Sequence, residues 1–544
     1  MRPLTIGPLL AALVSGSLLA QGTDKDAEQL ELERRADRTR FERWFEEYES
    51  GASRLVKDGK IDEVAVGAAK DKIVAVARWQ RLDDAHLLFR AATTDPSPPG
   101  ARTSADKIEF HAELLPWRIR AIAREAIAGI AADEVEPWLV ALVHGKNLRD
   151  AAAVADRAAA DAALQILGMR DSESARTAVL EATMRLPPKL RTRALDVLSD
   201  FADLSVVPHF IELLRDRDPN MRIAALNAIG KALGPHTDET EHSTMSKDVE
   251  KHCATALDAM RNILKKDKVW QVRAAACHSL AQLKTSKVIP VLIDGLDAEL
   301  RRKKDPWAMD VRLHRTLEHL TGQSVPLGST APWRSFWSKE KGRFRFAKPG
   351  EADARNAASS DGEKYEKFFA LDLSSDRVLF LLDFSGSMDE PITLKTELTS
   401  TKPGQTIVKA KLVVEEMKKL IMSLPDGAIF NLIVFSDDVR VWRPDGEGRP
   451  LPVKLDDSSR DDLLGSFLDN LSPQGPTNLY GALDRAIGLA GRGIDDGSYT
   501  AEFDTLYVLS DGAPTYGEIR DKDRIRELVR DANRLKQLTI HSVT

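Results

Sequence analysis

The sequence predicts a multidomain chain in which an α-helical repeat array precedes an α/β, doubly wound, Rossmann-like domain. Three observations carry that prediction. The chain has 544 residues, more than one hydrophobic core usually organises. An arginine-led pattern of apolar residues and proline recurs between about residues 115 and 300, which is the grammar of stacked repeats. From Arg377 onward, continuous apolar runs alternate with amphipathic ones, as buried parallel strands and their covering helices do.

The composition narrows the function classes. Hydrophobic residues make up 43% and charged residues 30%, the balance of a globular chain. A net charge of -6, with 78 basic residues scattered among 84 acidic ones, gives no field suited to gripping phosphates and argues against nucleic acid as a partner. The two cysteines, Cys253 and Cys277, rule out a disulfide-dense scaffold. Both lie in helical patterns, where buried free thiols are expected ahead of a single bridge.

Taken in order, residues 1–22 read as a signal peptide: Arg2, an apolar run to Ala20, then small residues suited to cleavage. Pro3, Gly7, Pro8 and Gly16 make a poor long helix, which weighs against an uncleaved membrane anchor. The expectation is an exported chain (periplasmic, cell-surface or secreted) with no membrane span after cleavage. Residues 23–114 form a charged helical region, with apolar residues at three and four spacing in "FERWFEEYESGASRLV" and "KDKIVAVARWQRL" and a loop at "TTDPSPPGARTS".

Residues 115–340 carry the repeats and an aromatic cap. Three segments start at Arg120, Arg191 and Arg273; each has an apolar residue seven and ten positions later and proline at seventeen, namely Pro137, Pro208 and Pro290. Weaker copies start at Arg157 and Arg222 without the proline. An arginine-led helix, a short turn and a proline that opens a second helix make a helical pair, which buries its apolar face only by stacking on others. The spacing resembles HEAT repeats, a resemblance that implies a scaffold or a second protein-binding surface. The insert "GPHTDETEHSTMSKDVE", with His236, Asp238, Glu239 and His242, reads as a solvated loop in preference to a metal site. Trp333, Phe336 and Trp337 read as a packing cap. Residues 341–375, small, polar and charged, read as a flexible linker.

Residues 376–544 hold the chemistry. Buried strands are read at "RVLFLLD", "AIFNLIVFS" and "FDTLYVLSD", with helices between them. In such sheets ligands sit at the carboxyl ends of strands. There "DFSGSM" supplies Asp383, Ser385 and Ser387, "LSDGAPT" supplies Asp511, and a proline and glycine loop supplies Thr477. Carboxylates and hydroxyls are hard oxygen donors, which suit Mg²⁺, Mn²⁺ or Ca²⁺. The alternation D-x-S-x-S aims three side chains toward one point, with Gly386 expected to let the backbone bend. These residues resemble the von Willebrand factor type A (VWFA) domain and its metal ion-dependent adhesion site.

The resemblance implies a divalent cation, Mg²⁺ above Mn²⁺ or Ca²⁺, held by Asp383, Ser385, Ser387, Thr477 and Asp511. It implies a protein partner that offers an Asp or Glu carboxylate to the open metal position. It leaves open a metal that is only structural, or a VWFA subunit of a larger ATPase or chelatase-type assembly. An enzyme is not expected: G-x-S-x-G, H-E-x-x-H and G-x-x-x-x-G-K are absent from the sequence. Residues 389–406 lengthen the connection after the first turn of the site, as a lip or as a loop. The domain, ending at Thr544, is expected to lack the last strand and helix of the family.

Overall fold

The structure is a computed structural model. It describes residues 24–50, 56–57, 60–94, 111–145, 148, 154–201, 203–239, 245–302, 307–347, 367–368, 371–373, 375–393, 404–488, 499–517 and 519–543. The signal-peptide segment, His242 and residues 348–366 of the linker lie outside them. No described helix is long and apolar enough to cross a membrane. The chain forms two compact units, Met1–Leu190 and Arg191–Thr544.

The first unit is helical: α1 (Asp24–Glu49), a small ribbon of β1 (Val56–Lys57) and β2 (Lys60–Ile61), then α2 (Glu63–Ala77), α3 (Leu82–Thr93), α4 (His111–Ala128), α5 (Val135–Val143), α6 (Val154–Gly168) and α7 (Glu173–Arg185). The apolar stripe of α1 buries Phe41 and Phe45 completely. Its polar edge is satisfied across the fold, where Arg34 makes a two-pronged bond to the buried Asp84 at 3.0 and 3.1 Å. Such pairing is what lets a carboxylate sit at zero exposure.

The second unit begins within α8 (Pro188–Asp200) and continues with α9 (Val207–Leu213), α10 (Pro219–Thr237), α11 (Lys247–Lys266), α12 (Trp270–Gln282), α13 (Val288–Leu300), α14 (Met309–Thr321) and α15 (Ala331–Glu340). The arginine-led segments are first helices and the proline-led ones second helices: Arg191 lies in α8, Arg222 in α10 and Arg273 in α12, while Pro208 sits in the first turn of α9. The arginines close each pair. Arg191 bonds Asp216 beyond α9 at 2.9 Å, Arg222 bonds Asp267 beyond α11 at 2.9 and 3.0 Å, and Arg273 meets Glu299 at the end of α13 at 2.7 Å.

The two ends of the polar insert lie in the 19-residue α10 and the 20-residue α11. In it, Asp238 accepts from Lys284 at 2.7 Å and Glu239 from Thr285 at 2.6 Å. Cys253 and Cys277 are buried free thiols, and burial pushes both up to about 11, so they are packing residues. At the end of the array Trp333 is fully buried and donates Nε1–H to His314 Nδ1 at 3.2 Å. Residues 341–347 return to the array, with the Ala347 N–H on the Leu320 carbonyl at 3.0 Å.

After a short ribbon of β3 (Lys367–Phe368) and β4 (Leu371–Asp372), the sheet is built from β5 (Arg377–Asp383), β8 (Ile429–Phe435), β9 (Val439–Val441), β10 (Val453–Lys454), β11 (Thr505–Leu509) and β12 (Thr539–Val543). A separate ribbon pairs β6 (Pro391–Thr393) with β7 (Thr406–Val408). The helices are α16 (Lys409–Ser423), α17 (Asp457–Asp461), α18 (Leu479–Ile487) and α19 (Lys522–Lys536). The strand order is β10-β8-β5-β11-β12. β8, β5, β11 and β12 run parallel, while β9 and β10 pair antiparallel to β8.

β5 and β8 are buried along almost their full length, as continuous apolar runs require. Across the sheet Phe430, Phe380, Tyr507 and His541 form a row with ring centroids 4.8 to 5.5 Å apart. After α17 the chain stays helical but irregular: Asp462–Phe467 widens into a π-turn and Leu468–Asn470 tightens into a 3₁₀ turn.

Residues 191–544 form one compact unit, because the first helices of the array pack against the starts of the strands. Arg377, at the head of β5, lies over the Trp307 ring at 4.3 Å. Trp307 stacks on Trp270 at 4.9 Å, and Arg312 of α14 lies over Trp270 at 5.8 Å. Arg312 also donates to the Gln537 carbonyl and to Thr539 Oγ1, each at 2.7 Å. The Ala308 N–H donates to the buried Asp504, just ahead of β11, at 3.0 Å. Alternating cations and rings satisfy buried guanidinium charge and apolar area together.

Candidate metal centre

The order β8-β5-β11 reverses direction about β5, so chain connections leave to opposite sides of the β5/β11 pair. The carboxyl ends of these two strands therefore open into a crevice. β5 delivers Asp383 into it, paired in register with Phe435 of β8; β11 delivers Ser510 and Asp511 just beyond Leu509.

Asp383 is fully buried. Its Oδ1 accepts the Ser385 N–H at 2.9 Å and its Oδ2 accepts the Ser510 hydroxyl at 2.6 Å. The chain then turns through a 3₁₀ segment, Gly386–Asp389, which brings Ser385 Oγ and Ser387 Oγ within 3.1 Å. Ser387 donates to Asp511 Oδ1 at 2.8 Å. Asp383, Ser385 and Ser387 thus stand in one hydrogen-bonded cluster with Asp511.

Thr477, also buried, joins through the main chain. The Gly386 N–H bonds the Gly475 carbonyl at 2.8 Å and the Gln474 N–H bonds the Phe384 carbonyl at 2.9 Å, which lays the Thr477 loop against the serine turn. Thr477 itself is fixed from the Asp511 side: its N–H donates to Thr515 Oγ1 at 2.9 Å, and its carbonyl accepts from the Thr515 and Tyr516 N–H groups at 3.0 and 3.1 Å. The glycine that this geometry demands is Gly475, at φ +66°, where a Cβ would fall 2.8 Å from Asp437 Oδ1. At Gly386 a Cβ would meet only the Gly475 carbonyl at 3.5 Å, so the bend expected to need Gly386 does not require glycine.

Sequence reasoning missed three residues. Ser510 precedes Asp511 directly and was legible as a polar residue at a strand end. Lys409 and Glu390 were not, because the insert separates them. Among the described residues the two ends of the insert pair as the β6/β7 ribbon, and its base holds the pair together: the Lys409 N–H bonds the Glu390 carbonyl at 3.1 Å. The Lys409 ammonium donates to Asp511 Oδ2 at 2.7 Å and Glu390 Oε2 at 2.9 Å. These carboxylates raise Lys409 above its ordinary value.

The donor set fits a hard divalent cation. It is all oxygen, two carboxylates and three hydroxyls, the donor chemistry such ions prefer. Among the described residues no three His, Cys, Asp or Glu gather into a cluster that would hold a metal by themselves, so a cation here would need neutral hydroxyls among its ligands. In that geometry Asp383 and Asp511 are the anionic members; Ser385, Ser387 and Thr477 are the hydroxyl candidates.

Comparison with known proteins agrees with this architecture. Residues 402–544 match the von Willebrand factor type A domain, and residues 206–233 match the HEAT repeat. The chain is 31% identical over 157 residues to inter-alpha-trypsin inhibitor heavy chain H2 of Mesocricetus auratus, 28% of this chain and 14% of that one. It is 29% identical over 176 residues to heavy chain H1 of Sus scrofa, 31% of this chain and 16% of that one. The alignments therefore span about a seventh of the relatives' length. Among solved structures, the complex of CpcE and CpcF of phycocyanin lyase from Nostoc sp. covers 48% of this chain and 91% of that chain at 13% identity and a TM-score of 0.21, too low to carry an argument.

Proposed function

We propose, from a chain that carries a von Willebrand factor type A domain behind HEAT-like helical pairs, that it is a non-enzymatic protein-binding protein. In this reading Asp383, Ser385, Ser387, Thr477 and Asp511 hold a divalent cation, Mg²⁺ in the first place, and the open side of the site takes an Asp or Glu carboxylate of a partner protein. The observation that supports it most is the hydrogen-bonded cluster of Asp383, Ser385, Ser387 and Asp511 at the β5/β11 crevice.

A bound divalent cation supplies a Lewis-acidic position for an incoming carboxylate. The chain's own residues do the rest. Asp383 is held from two sides by Ser385 and Ser510, so its orientation is fixed before a ligand arrives. The serines contribute neutral oxygens, which leave cation charge unspent for the partner. Ser387 orders Asp511 at the rim, where its side chain is 16% exposed. The relatives are named as heavy chains of an inhibitor, which supports assembly with other proteins. We take the chain to be exported on the strength of residues 1–22.

The test is partner capture from the native source with Mg²⁺ and with a chelator, using the wild type and Asp383→Ala. Capture is expected to depend on Mg²⁺ and to be lost in Asp383→Ala, with the circular dichroism of the helical array unchanged. Equal capture by the mutant would overturn metal-dependent adhesion.

A further inference from the structure

The Lys409 ammonium is out of keeping with a site that takes a cation, since two positive charges sharing Asp511 repel. Its placement is built rather than incidental. The side chain is 22% exposed, and its nitrogen meets three oxygens: Asp511 Oδ2 at 2.7 Å, Glu390 Oε2 at 2.9 Å and the Ser387 carbonyl at 3.4 Å. Glu390 is anchored in turn, its N–H on the Ser387 carbonyl at 3.1 Å. The β6/β7 ribbon begins immediately beyond them, pairing Pro391 with Val408. The ribbon therefore clamps one acid and one base at the edge of the site, with the base in reach of two carboxylates.

Resting on the reading that the site takes a divalent cation, we propose that Lys409 is its resident counter-cation. Without a divalent ion Lys409 neutralises Asp511 and keeps the rim from opening by repulsion between Asp511 and Glu390. With the site loaded, Lys409 gives up Asp511 and moves its ammonium wholly onto Glu390, which serves as its receiver. Lys409 is a positioning residue, and the exchange sets a weak, adjustable cation affinity. No covalent step is involved.

Titration of the full chain with Mg²⁺ by calorimetry, and with Mn²⁺ by loss of the free-ion electron spin resonance signal, tests this. Removing a unit charge a few ångström from a divalent ion predicts about tenfold tighter binding in Lys409→Met. Lys409→Arg, which keeps the charge, is expected near the wild type. Glu390→Gln, which removes the receiver, is expected to bind several-fold more weakly. A merely structural lysine would give weaker binding in Lys409→Met through a loosened site. That result, or unchanged affinity in both Lys409→Met and Glu390→Gln, overturns the exchange while leaving the cation site standing. If the wild type binds no better than Asp383→Ala, the cation reading itself fails, and this inference with it. Should Lys409→Met fold poorly, Glu390→Gln and Lys409→Arg decide the matter alone.

Discussion

Asp383 is at zero exposure with both carboxylate oxygens bonded, to the Ser385 N–H and the Ser510 hydroxyl. A buried carboxylate that loses a donor carries the desolvation cost of the freed oxygen, about 1–3 kcal/mol. Ser510→Ala should therefore lower stability by about that amount in the absence of divalent ions, and Mg²⁺ should narrow the gap if Asp383 turns to it. Thermal unfolding of both proteins with and without Mg²⁺ reads this directly. The residues legible in the sequence are those whose chemistry is contiguous: Asp383, Ser385 and Ser387 lie within five positions, and Asp511 ends an apolar run. Lys409 was hidden because its meaning depends on a partner 102 residues away in sequence, Asp511, and on a ribbon that no local pattern announces.

At the scale of elements, the repeat arginines Arg191, Arg222 and Arg273 close their helical pairs, from the first helix to the end of the second. Arg273 is the most demanding case, fully buried and paired with a Glu299 that is 7% exposed. Removing Arg273 leaves the buried Glu299 with Arg302 alone, at 3.3 Å, so the loss approaches but does not exceed that of an uncompensated buried charge, about 3–5 kcal/mol. Arg273→Met should destabilise the chain by that order, and Arg273→Met combined with Glu299→Met should recover much of the loss; chemical denaturation of the two variants checks the sign. The sequence showed the arginine and its period but not its mate, since the acid falls 25, 45 and 26 residues later in the three pairs. Only the register of the two helices makes those separations equivalent. The pattern did not reveal one use of the array: α8, α10, α12 and α14 contact the chain's own α/β domain through Asp196 with Arg534, Asn227, Gln271 and Arg312.

The 191–544 unit is held together by contacts at the strand starts, the pole of the sheet away from Asp383 and Asp511. One of them has a pH signature. Burial works to raise the Asp196 carboxyl, yet Arg534, Arg193, Lys231 and Arg530 outweigh it and hold it below its ordinary range; the Arg534 contact is 3.3 Å. A carboxylate depressed in the folded state stabilises in full above its unfolded value, about 3.9, and loses that contribution as the pH falls through the depressed value. Wild type is thus expected to unfold at a higher temperature than Asp196→Asn at pH 6, with the difference closing below about pH 4. A gap that stays constant with pH would show that the ion pair contributes nothing.

The sequence by itself determined the repeat period, the strand and helix alternation, and which oxygens stand at the strand ends, because periodicity and strand-end chemistry are written within a few residues of one another. The tertiary structure alone decided that the array covers the foot of the sheet, that Gly475 and not Gly386 carries the backbone demand, and that Lys409 faces Asp511. Each of these depends on a close approach between segments far apart in the chain, and the energies that settle such approaches, burial of charge and contact between facing surfaces, are properties of pairs that a linear pattern does not contain.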